Sequence, residues 1–162
     1  MNIRKTITKD VVLLDMTGQN KDQVIDELMD VLVDVGKVTQ RKVALKAIWE
    51  RERKMSTGMQ HGIALPHAKC DVVDGLVVAF GIHRPGVDFE SLDGEPAHFI
   101  IMTLSPANRA GPHIQFLAEI SRQLNDADVR ERILQAADKE TIIDILADAE
   151  ESGADSAGSE EE

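Results

Sequence analysis

The chain is 162 residues long, a length at which one domain buries roughly 70% of the surface its unfolded form exposes, so a single compact unit is expected. Hydrophobic residues make up 43% and charged residues 29%, which excludes collagenous, wholly disordered and membrane-embedded classes. Lys plus Arg total 18 against 29 Asp plus Glu, for a net charge of −11, and the aromatic set is four Phe, one Trp and no Tyr; such a chain repels phosphate backbones and anionic lipid, so neither nucleic acid nor direct membrane insertion is expected.

The negative excess is uneven. Residues 148–162 hold seven acids and no base, which leaves the remainder far closer to neutral and able to carry a local basic site. Cys70 is the only cysteine, so no intrachain disulfide forms and a reducing cytoplasm is the expected compartment. The start, MNIRKTITKD, has no apolar core of a signal peptide. The apolar-plus-glycine run from Gly75 to Ile82 is far shorter than the ~20 residues that cross a bilayer.

In chain order, Asp10–Met16 reads as a buried strand, and Thr17-Gly18 turns the chain. Asn20 caps a helix with Gln23 at capping-box spacing; Val24, Ile25, Leu28, Val31, Leu32 and Val35 form its apolar face and Gly36 ends it. Thr39 is the expected cap of a second helix running to about Lys54, with Val43, Ala44, Ala47 and Ile48 inward. Residues 55–70, MSTGMQHGIALPHAKC, break the helical period, and Gly62–Leu65 suits a short buried strand. Leu76–His83 and His98–Leu104 are apolar enough for interior strands, with a turn at Asp93-Gly94 between them. Pro112 is expected to open a third helix, with Ile114, Leu117, Ala118, Ser121 and Leu124 on its core face. Helices at about Ala127–Ala136 and Glu140–Ala149 follow, with Asp126 and Asp138 near their starts. The expected organisation is a domain over residues 1–150 and a disordered acidic tail over 151–162. Strands interspersed with helices indicate an α/β fold, helices covering both faces of one sheet.

The chemistry rests on five histidines, His61, His67, His83, His98 and His113. No HxxxH pair, cysteine pair or His-Glu-x-x-His is present, so no metal is expected. A nucleophile elbow and a phosphate loop of Gly-x-x-x-x-Gly-Lys type are also missing, which argues against serine hydrolysis and nucleotide hydrolysis. His67 follows the apolar run GIAL and Pro66. The proline removes a ladder N–H and is expected to end or bulge the strand where His67 emerges. An imidazole held there can attack phosphorus without a separate base, because its ordinary pKa is about 6.5. A hydrogen-bonded structural histidine is an equal reading of the spacing. His113, expected as the second residue of its helix, stands among free N–H groups that suit a phosphoryl group and lower an imidazole pKa; alone it also reads as an exposed helix-start residue. Arg51, at the end of the second helix, can supply a fixed cation. It equally reads as a solvated arginine, and Arg53 and Arg109 compete for the role.

The block Arg51-Glu52, STG at 56–58 and GIALPHAK at 62–69 resembles the signature around the phosphorylated histidine of enzyme IIA domains of the mannitol/fructose class. These belong to the bacterial phosphoenolpyruvate-dependent sugar phosphotransferase system and include nitrogen-regulatory IIA proteins. Residues 86–106 resemble the family's Asp-containing turn and following strand, and 113–126 its second-histidine helix, so the resemblance spans about residues 10–149.

The resemblance implies a mixed β-sheet of about five strands flanked by helices. It makes His67 the phosphorylated residue, reacting through Nε2, with Arg51 and His113 lining the pocket and no cofactor. It implies a donor, the histidine-containing phosphocarrier protein or a nitrogen-branch relative. The acceptor would be a cysteine on the IIB domain of a sugar permease, a role for which Cys70 is unsuited, or the output would be binding to regulatory target proteins. A non-phosphorylated binding module on the same fold is the third reading, opposed by the intact Arg51, His67 and His113 set. No IIB or IIC portion is seen, so the expectation is a stand-alone phosphocarrier that meets its acceptor by diffusion. An apolar rim of Met55, Met59 and Phe89 is expected to shield the P–N bond. Gln60-His61 departs from the family's common pair and makes His61 a candidate third imidazole.

Overall fold

The computed structural model describes the backbone of residues 1–160 and side chains as far as Gly153. In order, its elements are α1 (Ile3–Thr6), β1 (Val12–Leu13), α2 (Lys21–Asp34), α3 (Arg41–Lys54), β2 (Ile63–Ala64), β3 (His67–Lys69), β4 (Val77–Val87), β5 (Ala97–Ser105), α4 (Ala110–Leu124), α5 (Ala127–Gln135) and α6 (Lys139–Glu160). The two most apolar runs of the sequence become the antiparallel pair β4–β5 at the centre of the sheet, with Phe80 opposite Ile101. β1 joins β4 in parallel, and β2 and β3 both join the other edge of β5 in parallel, giving a mixed five-stranded sheet.

Strand alternation places helices on both faces. Gly81 and its partner Ile100 face α2, where a Cβ on residue 81 would come within 3.1 Å of Leu28. Thr103 and its partner His67 lie an odd number of residues away along the same ladder and so face the other side, where α4 packs on β5. All four phenylalanines, Phe80, Phe89, Phe99 and Phe116, are buried in the core between these layers.

Local chemistry explains most helix ends. Asn20 Oδ1 accepts from the Gln23 N–H at 2.9 Å, while the Gln23 side chain reaches past the expected partner to accept from the Gln19 N–H at 2.8 Å. Gly36 ends α2 with a φ of +79°, a conformation open to glycine. Asp126 and Asp138 accept from the backbone N–H groups of Asp128 and Thr141. Gly94 closes the expected turn by donating to the Ser91 carbonyl at 3.0 Å.

Several expectations are corrected. The first strand shrinks to Val12–Leu13, because Lys9–Val11 forms a 3-10 turn in which Val11 N–H bonds back to Thr8. α1, too short to show a period, is held by Asn2 and docks on α6 through Arg4 and Asp144 at 2.9 Å. α3 is preceded by Gln40, with no side-chain cap, instead of Thr39, and Val43 is exposed. β4 runs past His83 to Val87 by an irregularity that uses Gly86 at a φ of +89°. In α4 Pro112 is the third residue, not the first, and the buried face is His113, Phe116, Ile120, Gln123 and Leu124. Ile114 and Ala118, expected inward, are exposed. α6 runs to Glu160, past the expected end near Ala149, so the backbone of 151–160 is helical where a disordered tail is expected, and residues 161–162 lie outside the described residues.

Phe80 fills the middle of the sheet with no exposed surface. Phe80→Ala is expected to destabilise the domain by about 3–5 kcal/mol, read as a lower urea midpoint at unchanged m-value.

Candidate functional site

Pro66 interrupts the strand edge without shifting it. Ile63 pairs with Phe99 and Ala64 with Ile100, and after the proline His67 pairs with Thr103, so the offset between the two chains is the same on both sides. No bulge is needed. Within the gap, the Pro66 carbonyl still accepts from the Thr103 N–H at 3.0 Å, but the Leu65 N–H turns outward to the Thr57 carbonyl at 3.1 Å. The Leu65 carbonyl then lies 2.7 Å from Nδ1 of His67. A carbonyl only accepts, so Nδ1 carries the proton and Nε2 of the neutral ring keeps its lone pair.

His67 is half-buried and lines a concavity of about 400 Å³ together with Arg51, Lys54, Lys69 and His113. Arg51 sits in the last turn of α3, where its Nη1 donates to the Met55 carbonyl at 2.8 Å. This bond fixes the arm of the guanidinium and satisfies a carbonyl beyond the helix end. Lys69 follows His67 by two residues along β3 and so stands on the same side of the strand. Glu50 is the one acidic residue in the lining, so the concavity is locally basic in an acidic chain. Alanines 47, 68 and 110 with Ile114 and Leu117 complete it.

His113 enters from α4, with its ring edge-on to His67 at a centroid separation of 5.7 Å and an interplanar angle of 89°. Burial, first, and then the neighbouring His67 and Lys69 charges lower its pKa from the ordinary 6.5 to about 4. The ring is therefore neutral at pH 7 and carries one N–H and one lone pair. Its Nε2 is buried without a hydrogen-bond partner in the protein, a state that costs about 1–3 kcal/mol. The geometry thus combines a nitrogen with a free lone pair, a fixed cation and a neutral imidazole, components that suit an anionic tetrahedral group.

Of the arginines weighed from the sequence, Arg51 alone lines this concavity. Arg53 stacks over Trp49 at 5.7 Å, and exposed Arg109 precedes α4. His61 is not brought to the site: it has a φ of +62° and borders another depression with Met59, Ser121 and Arg122. The expected rim is likewise corrected. Met55 is 60% exposed outside the lining, Met59 belongs to the His61 depression and Phe89 is core. Apolar residues of α3, β3 and α4 take that place, with Ile114 at 65% exposure. His83 bonds to the Gly18 carbonyl and His98 to the His83 carbonyl, both structural. Among the described residues no group of three or more His, Cys, Asp or Glu is placed to hold a metal, and no helix is long and apolar enough to cross a membrane.

Sequence reasoning missed three contributors: the Leu65 carbonyl, Lys69, and a buried network under the site. In that network Glu52 bonds Lys21 at 2.7 Å and receives the N–H and hydroxyl of Thr57 at 2.9 and 2.7 Å. The i, i+2 spacing of His67 and Lys69 was readable. The network, formed between α2, α3 and the loop after α3, was not.

These features define an α/β domain with one shallow, locally cationic histidine site. Residues 5–149 match the family model described as phosphoenolpyruvate-dependent sugar phosphotransferase system, EIIA 2, and the chain belongs to that family. It is 41% identical over 147 residues to the fructose-specific EIIA component of Haloferax volcanii, covering 90% of this chain and 96% of that protein. With the fructose-specific EIIABC component of Bacillus subtilis it shares 38% identity over 146 residues, spanning only 23% of that longer protein. The crystal structure of the nitrogen regulatory protein IIA-Ntr from Neisseria meningitidis superposes with a TM-score of 0.79 at 25% identity, over 89% of this chain and 98% of that one.

The neutral His113 sets a pH dependence. As pH falls below 6.5 the unfolded chain takes up a proton that the folded chain accepts only near 4, so stability is lost across that interval and levels off below it. The loss is at most about 3 kcal/mol. His113→Gln is expected to show a smaller drop in urea midpoint between pH 7 and pH 4.5 than wild type, and NMR titration should leave the wild-type ring neutral at pH 6.

Proposed function

We propose that the chain is a phosphocarrier that takes a phosphoryl group onto Nε2 of His67 from the phosphohistidine of the small histidine-containing phosphocarrier protein and passes it to a cysteine of a IIB domain. The observation that carries this reading is the 2.7 Å bond from Nδ1 to the Leu65 carbonyl, which leaves Nε2 as the nitrogen with the lone pair. In the first step that lone pair forms the P–N bond as the donor's P–N bond breaks, and the donor ring leaves with the electron pair. In the second, a thiolate attacks the same phosphorus in line and His67 regains its lone pair.

The loose transition state spreads negative charge over three equatorial oxygens, which cations and N–H donors beside His67 would offset. Arg51 offers its guanidinium, and neutral His113 an N–H that adds no charge against the His67 ring. Position does the catalysis, so no metal or cofactor is required. The exposed apolar rim, Ile114 above all, gives a protein partner surface to bury and keeps water from the P–N bond. The 41% identity to a fructose-specific EIIA component, over 90% of this chain and 96% of that protein, favours sugar transport over regulation. Residues 1–150 are read as the working domain of a cytoplasmic protein and 151–162 as an acidic tail.

Incubation with phosphoenolpyruvate, enzyme I and the phosphocarrier protein is expected to place acid-labile phosphate on His67. His67→Ala should abolish it, and uptake at the wild-type level by that variant overturns the assignment. Arg51→Ala and His113→Ala are expected to retain the fold by circular dichroism and to slow transfer by about 10²–10³. Adding a IIB domain should drain the label onto its cysteine; retention of the label, with phosphorylation-dependent binding to another protein, transfers the reading to regulation.

A further inference from the structure

We propose that Glu52 is a positioning residue for His67, acting through Thr57 and Leu65 to fix which ring nitrogen holds the proton. The proposal rests on the reading of His67 as the phosphoryl acceptor. Five contacts run in series: Lys21 Nζ to Glu52 Oε1 at 2.7 Å, Thr57 N–H to Oε1 at 2.9 Å, Thr57 hydroxyl to Oε2 at 2.7 Å, Leu65 N–H to the Thr57 carbonyl at 3.1 Å, and His67 Nδ1–H to the Leu65 carbonyl at 2.7 Å. Glu52 does not line the concavity.

Stability alone is a poor account of this pair. The Glu52 side chain is 1% and that of Lys21 11% exposed, and a buried ion pair is often replaced by apolar residues at no cost. Lys21 is also the first residue of α2, where the helix dipole disfavours a cation, yet its ammonium turns inward, 4.8 Å over the Phe89 ring. What an apolar pair cannot do is accept two donors from Thr57 at once. Held by both, Thr57 presents its carbonyl to Leu65. The Leu65 N–H faces away from β5, and the Thr57 carbonyl that accepts it fixes the Ala64–Leu65 peptide, one α-carbon before the carbonyl that meets His67. A Leu65 carbonyl free to rotate would leave the His67 ring free to adopt either tautomer, and in one of them Nε2 is protonated and cannot attack.

Ring 15N NMR of the unphosphorylated protein at about pH 8, where imidazoles are neutral, reads the tautomer directly. Wild type is expected to show a protonated Nδ1 and a bare Nε2 on His67. Thr57→Val should give a mixture of tautomers and lower kcat for phosphoryl uptake between about tenfold and a hundredfold with KM for the donor unchanged; Thr57→Ser should restore both. The double variant Lys21→Met with Glu52→Gln, which leaves no unpaired ammonium, should behave as Thr57→Val does. A single wild-type tautomer and wild-type kcat in whichever of these variants folds overturns the proposal and leaves the phosphocarrier reading intact. A wild type with the expected tautomer that never takes up phosphate overturns that reading instead.

Discussion

The site depends on one hydrogen bond that spans a proline. Nδ1 of His67 donates to the carbonyl two residues earlier, at 2.7 Å. Alternation along the strand turns the Leu65 N–H and carbonyl away from β5, as the bond from its N–H to the Thr57 carbonyl shows, so that carbonyl is free to accept from the ring. Pro66 opens the ladder for two residues and, as the equal offsets on either side show, closes it again in register. The ring is thus anchored by its own strand through Nδ1, and Nε2 is the nitrogen left with a lone pair. An imidazole bound by a distant side chain would depend on two elements keeping their distance; this one depends on the extended run Leu65-Pro66-His67.

Burial decides the charge of the second imidazole beside the ring. Arg51 and two lysines line the concavity, and His113 stays neutral down to about pH 4 because burial and the charges beside it oppose its protonation. A charged His113 would add attraction for a phosphoryl group, which carries between about one and a half and two negative charges. On the phosphocarrier reading it would also stabilise the phosphorylated state and make the group harder to hand on. A neutral N–H helps the spread charge of the transition state without deepening the well on either side, which suits a carrier more than a trap.

The strongest elements were legible in the sequence for simple reasons. α2 has an Asn cap, a clear period and a glycine stop, and β4 and β5 are apolar on both faces because helices cover both. The key residues His67, Arg51 and His113 were legible as types in a pattern, and the fold brings all three to one concavity. The short elements were not. α1 and β3 have fewer residues than a period needs, and β3 is recognisable only through β5, thirty-six positions along the chain. The Glu52 network was hidden for another cause. A glutamate in the run ERERK reads as solvated, and only the packing of α2 against α3 turns it inward.

The misread face of α4 shows how the site and the core share one helix. Its apolar residues, Ile114, Phe116, Leu117, Ala118, Ile120 and Leu124, cover more of the circumference than one neighbour can bury, so the pattern fits two rotations about a residue apart. The rotation adopted buries Phe116 and Ile120, the larger and better shaped pair for β5, and leaves Ile114 in water at 65% exposure. That choice has a chemical consequence. A helix turned the other way would bury Ile114 and swing His113 outward, where it would be solvated, protonated at mild acidity and too far from the sheet to stand edge-on to His67. Packing of Phe116 on the core is therefore what delivers a neutral imidazole to the site, and the stranded isoleucine at the rim is the other side of the same geometric decision.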